Sequence, residues 1–92
     1  MNMIQVKSKM VPVVEMDSET GAVYIRFSNG KVAKTIDDSA GSSIVTIDID
    51  ARGNVVGVEL LGIKKFSIST ATKLLSKKIG NMPDLAKASI CC

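Results

Sequence analysis

Between Val11 and Leu61 the chain breaks into short apolar runs whose side chains alternate, each run closed by turn-forming residues. That period of two constrains the fold more than any other feature. Successive side chains of an extended strand point to opposite faces, so an alternating run buries one face and offers the other to solvent or a partner. Five strands are predicted: Val11 to Met16, Ala22 to Phe27, Lys31 to Ile36, Ile44 to Ile49 and Asn54 to Leu61. The register places Val23, Ile25, Phe27, Val45, Ile47, Val56, Val58 and Leu60 together in a core, because a slip of one residue would turn each run inside out.

The punctuation predicts how the strands connect. Asp17-Ser18-Glu19-Thr20-Gly21 has hairpin length and the glycine such a loop uses. Asn29-Gly30 reads as a two-residue hairpin turn, since both residues tolerate the positive φ that the turn demands. The polar stretch from Asp37 to Ser43 is expected to be a mobile loop. In Asp50-Ala51-Arg52-Gly53, the glycine suits the left-handed position that closes a short hairpin.

After Gly62 the period changes. Ser67 is a helix cap, and Ile68, Ala71, Leu75 and Ile79 recur at helical spacing with Leu74 widening the stripe and Gly80 as the stop. A helix is predicted over 68–79, and Pro83 suits the first position of a second short helix over 83–90. The fold class is therefore α+β: one domain over 1–92, an antiparallel β-meander of about five strands over 11–61, and a C-terminal helix packed on one face.

The stretch from Met16 to about Phe66 resembles the small prokaryotic domain-of-unknown-function family numbered 2283 (DUF2283). The matching words are Asp17-Ser18-Glu19 before Ala22-Val23-Tyr24-Ile25-Arg26, then Gly30-Lys31-Val32-Ala33-Lys34-Thr35, then Asp48-Ile49-Asp50, and Gly53-Asn54-Val55-Val56-Gly57-Val58-Glu59-Leu60. The resemblance implies a compact antiparallel meander packed by a C-terminal helix, and it implies no activity. Met16 stands where an aromatic residue is common in the family, Gly21 where an aspartate is, and Arg52 where an acidic residue is.

Chemistry is constrained mostly by omission. The chain contains no histidine, and its two cysteines, Cys91 and Cys92, are adjacent and terminal, so they close no loop. No catalytic set and no cofactor are expected, and the cysteine pair reads as a frayed tail in a reducing cytoplasm. A terminal Cys-Cys is also a prenylation signal in some trafficking proteins, but no nucleotide-binding domain precedes it here. Neither a signal peptide nor a membrane span is legible.

Three surfaces remain as candidates. Tyr24, Ile44, Val55 and Leu61 fall on the face opposite the predicted core, where Tyr24 can lie across the bare backbone of Gly57. Apolar side chains on both faces of a small sheet call for a protein partner or a second copy, unless a second helix of the same chain covers them. The edge of Val11 to Met16, guarded by Pro12, is a further pairing surface. A basic nucleic-acid interface is the alternative, carried by Lys64, Lys65, Lys73, Lys77 and Lys78, with Lys87 nearby. The third reading is calcium: Asp48, Asp50 and Glu59 copy the spacing of a calcium loop, but Arg52 occupies a ligand position and the flanks read as strands.

Overall fold

A computed structural model of the chain describes residues 4–39, 44–62 and 67–91. Eight strands, one α-helix and one 3₁₀ turn follow in the order β1 (Ile4–Gln5), β2 (Val13–Met16), β3 (Val23–Arg26), β4 (Lys34–Asp37), β5 (Ile44–Ile49), β6 (Val55–Leu61), α1 (Ile68–Leu75), β7 (Ile79–Gly80), the 3₁₀ turn Leu85–Lys87 and β8 (Ser89–Cys91). Six strands make a mixed sheet in the order β4-β5-β6-β3-β2-β8, and β1 pairs with β7 in a small parallel sheet of two. The architecture is α+β, with the apolar alternation landing where the sequence places it. Val23, Ile25, Phe27, Val45, Ile47, Val56, Val58 and Leu60 are all buried, and all but Val56 belong to one apolar cluster.

The order of the strands departs from a simple meander. β3 pairs with β2 and β6, whereas among the described residues β4 pairs only with β5. The Asn29-Gly30 hairpin is therefore corrected: after β3 the chain crosses the end of the sheet, with the Phe27 and Ser28 amides both donating to the Val56 carbonyl, and enters β4 beyond β5. Positive φ angles occur at Gly21, Gly53, Gly62 and Asn81, so Gly30 does not make the expected turn. Its amide donates instead to Ser28 Oγ at 2.9 Å. The meander β4-β5-β6 then returns to lay β6 beside β3, a Greek-key arrangement.

A second correction concerns Val55. The ladder between β5 and β6 slips between Asp48 and Ile49, pairing Ile49 with Val55 and leaving Val56 as the extra residue. Such a bulge shifts the alternation by one. Val55, expected on the face of Tyr24, is 1% exposed and belongs to the main apolar cluster.

The C-terminal third is less helical than its period suggests. Ser67 caps α1 by accepting the Thr70 amide at 3.1 Å, as expected, but the helix ends at Leu75. Ile79 and Gly80 leave helical geometry to pair with Ile4 and Gln5, so Ile79 is buried as a strand residue. Leu74, placed in the apolar stripe, is 37% exposed, while Ala71 and Leu75 join the core cluster that includes Val23, Ile25 and Leu60. The second helix contracts to the 3₁₀ turn, capped by Asp84, which accepts the Ala86 amide at 3.0 Å.

Beyond that turn Ser89–Cys91 pairs in parallel with Val13–Glu15. Cys91 of the expected frayed tail thus lies in a strand, Cys92 lies outside the described residues, and the β2 edge proposed for partner pairing is covered by the chain's own β8. Of the loop expected from Asp37 to Ser43, Asp37 instead belongs to β4, and 40–43 lie outside the described residues.

Ile47 is 1% exposed at the centre of this core. Ile47→Ala is expected to cost about 2 to 5 kcal/mol of unfolding free energy, from lost transfer energy and the residual cavity. Urea denaturation, with the slope against denaturant unchanged, is the check.

Candidate functional site

The face of the sheet opposite the core carries a continuous polar relay. Glu15 of β2 lies opposite Tyr24 of β3, Tyr24 opposite Glu59 of β6, and Asp48 of β5 lies between Gly57 of β6 and Thr35 of β4. Gly57 has no side chain, so the Tyr24 ring lies diagonally over β6 and reaches the next strand, donating its hydroxyl to Asp48 Oδ2 at 2.9 Å. A Cβ built at Gly57 would sit 2.6 Å from Tyr24 Cε2, well inside contact distance. The sequence-based placing of Tyr24 over Gly57 is therefore what the structure holds.

Both oxygens of Asp48 are engaged, because Thr35 Oγ1 donates to Oδ1 at 2.6 Å. At the other end of the relay Arg26 meets Glu15 Oε1 through Nη2 at 3.0 Å and Nε at 3.1 Å. Its guanidinium carbon stands 5.2 Å from the Tyr24 ring centroid, within cation–π range. Partial burial and the bond to Asp48 push the Tyr24 phenol well above its ordinary value of 10.0.

The carboxylates proposed for calcium do different work. Asp50 Oδ1 accepts the amides of Arg52 and Asn54, both at 2.9 Å, so it holds the turn that Gly53 closes at φ 85. The Asn54 amide in particular keeps this carboxyl below the usual aspartate range. Asp48 is committed to Tyr24 and Thr35, and Glu59 lies two residues along β6 from the position opposite Asp48. Among the described residues no three acidic, cysteine or histidine side chains come together to hold a metal ion.

The remaining sequence-predicted residues disperse. Ile44, 47% exposed, pairs with half-buried Leu61 at one end of the outer face, while Val55 has gone to the core. Lys73 and Lys77 are exposed, Lys78 binds Asp38 at 3.4 Å, and Lys64 and Lys65 lie outside the described residues.

The sheet ends at β4 on one side and β8 on the other. At β4 the direction of the backbone groups follows from the ladder. Asp38 donates its amide to the Val45 carbonyl, in register with the pairing of Ile36 and Ile47. Bonded and non-bonded pairs alternate in an antiparallel ladder, so Ile36 bonds inward while Thr35 and Asp37 turn N–H and C=O away from the sheet. Three of the four β4 residues are exposed. Thr35, Ile36 and Asp37 were not legible as an edge, because the apparent hairpin at Asn29-Gly30 places this strand between two neighbours.

A six-stranded mixed sheet with one buried face, one polar face and a short helix defines a small α+β domain. Residues 14–64 match the family described as Protein of unknown function (DUF2283), which is more than half of the chain, and the chain belongs to that family. Neither a curated protein nor a solved structure was found to match. No helix among the described residues is long and apolar enough to cross a membrane.

Two outcomes are expected from the Tyr24 relay. Gly57→Ala should cost about 1 to 3 kcal/mol by overpacking, and most of that cost should vanish in a Tyr24→Ala background, read by a double-mutant cycle in urea. As the only tyrosine of the chain, Tyr24 can also be titrated directly by near-ultraviolet absorbance. A phenol raised by folding favours the native state below the unfolded value, and that contribution is lost as pH rises through 10.0 toward the folded value. Tyr24 ionisation should therefore lag behind that of the unfolded chain, and Tyr24→Phe should flatten the alkaline loss of stability.

Proposed function

We propose that this chain is a non-enzymatic protein-binding module that takes up an extended segment of another polypeptide along the open edge of β4. The observation that carries the reading is the outward aim of the Thr35 and Asp37 backbone groups on a strand with a neighbour on only one side among the described residues. Strand addition supplies main-chain hydrogen bonds to such an edge, and alternate side chains read the partner.

The basic alternative has less support. Lys78 is already paired with Asp38, which leaves Lys73, Lys77 and Lys87 as the exposed members of that set among the described residues. A solvated lysine face accounts for them equally well.

The test is an NMR titration of the isotopically labelled chain, first with unlabelled chain and then with a set of extended peptides. The expected result is exchange protection concentrated at the amides of Thr35 and Asp37. Protection confined to Lys73 and Lys77 on adding duplex DNA, with none at β4, would replace this reading by the nucleic-acid one. No response to either titrant would remove the β4 reading.

A further inference from the structure

Resting on the β4 reading, we infer that the partner is a second copy of this chain, paired antiparallel through β4 about a two-fold axis at Ile36. The register follows from which groups point outward. Thr35 and Asp37 must pair with outward-pointing residues of the other strand, and Thr35 opposite Asp37 of the second copy satisfies both at once. This pairing is its own symmetry mate, as a two-fold interface requires.

The side chains then meet in complementary pairs. Ile36, half-buried and packed against the core, faces its own copy on the axis. On the same face, two residues to either side, exposed Lys34 stands opposite Asp38 of the second copy, and the reverse pair repeats beyond the axis. Asp38 is within 3.4 Å of Lys78 through one oxygen, so the incoming Lys34 would share a carboxylate that already holds one cation. On the outer face Thr35 stands opposite Asp37 of the second copy, with the Thr35 hydroxyl kept by Asp48 Oδ1 and Asp37 Oδ1 kept by Ser39. Shifting the register by two residues, to place Thr35 opposite Thr35, sets Lys34 against Ile36 and loses the match. The segment Lys34-Thr35-Ile36-Asp37-Asp38 is thus self-complementary in the alignment that its backbone allows, and six strands would run on into six more.

A ladder this short buries little surface, so the dimer belongs to the weak and transient class. Sedimentation velocity over about 1 µM to about 1 mM is the appropriate range, spanning dissociation constants of that order. Lys34→Asp sets carboxylates opposite one another at both symmetry-related positions and is expected to weaken the dimer about tenfold or more. The double variant Lys34→Asp with Asp38→Lys exchanges the charges and should restore association. Thr35→Pro removes an outward amide donor without removing an inward one, and should abolish the dimer while circular dichroism stays native.

A wild-type chain that is monomeric across the range overturns the inference. So does a dimer indifferent to Lys34→Asp, or one that the double variant fails to rescue. If the chain is monomeric yet extended peptides still protect Thr35 and Asp37, the self-pairing falls and the strand-addition reading stands.

Discussion

The antiparallel ladder between β3 and β6 is the contact on which the rest of the fold depends. It joins the hairpin β2-β3 to the meander β4-β5-β6, pairing Ile25 with Val58, both 0% exposed. The two strands are separated in sequence by the whole of β4 and β5, so closing this ladder carries the entropy of a long loop. That cost is offset by burial on one face and by the Tyr24 relay on the other. Without Gly57 on β6, Tyr24 could not cross the strand to reach Asp48, and the outer face would lose the tie that links β3 to β5 over β6.

Once β6 stands beside β3, the identity of the edges follows. A meander in chain order would leave β2 and β6, with buried Val14 and Leu60, at the two edges. The observed order places both inside and puts the short, polar β4 and the three-residue β8 at the margins. Short, charged edges are one of the ways soluble sheets avoid indiscriminate pairing. β8 also anchors the C-terminal segment, tying Ser89–Cys91 to β2 while Leu85 enters the core one turn earlier.

Alternation was enough to read which residues of β3 and β5 are buried, because a strand's two faces follow directly from side-chain period. It also put Tyr24 and Gly57 on the same face, although their strands become neighbours only in the observed order. Alternation does not say which strand lies next to which. Asn29-Gly30 has the chemistry of a tight turn, yet Ser28 captures the Gly30 amide and the chain travels onward, a choice decided by the distant β3–β6 ladder. Val55 failed for a different reason. A bulge is one residue of slippage, and nothing in Asn54-Val55-Val56-Gly57 distinguishes the regular strand from the slipped one. At the C-terminus, two- and three-residue strands such as Ile79–Gly80 and Ser89–Cys91 are too short to show a period, so the helical spacing of Leu75 and Ile79 misled.

The candidate site was harder to read than the core for the same physical reason. A buried face is specified by side chains, whereas an edge is specified by where unpaired backbone groups point, and these depend on strand order and ladder phase rather than on residue type. At β4 the charges that guard the edge also bear on its selectivity. Lys34 makes it costly for a purely apolar strand to dock, since its charge would be stripped of water without a counterpart. A partner strand carrying charge at the matching positions meets no such penalty. A strand edge of this kind is protected against most sequences by the residues that would recognise one.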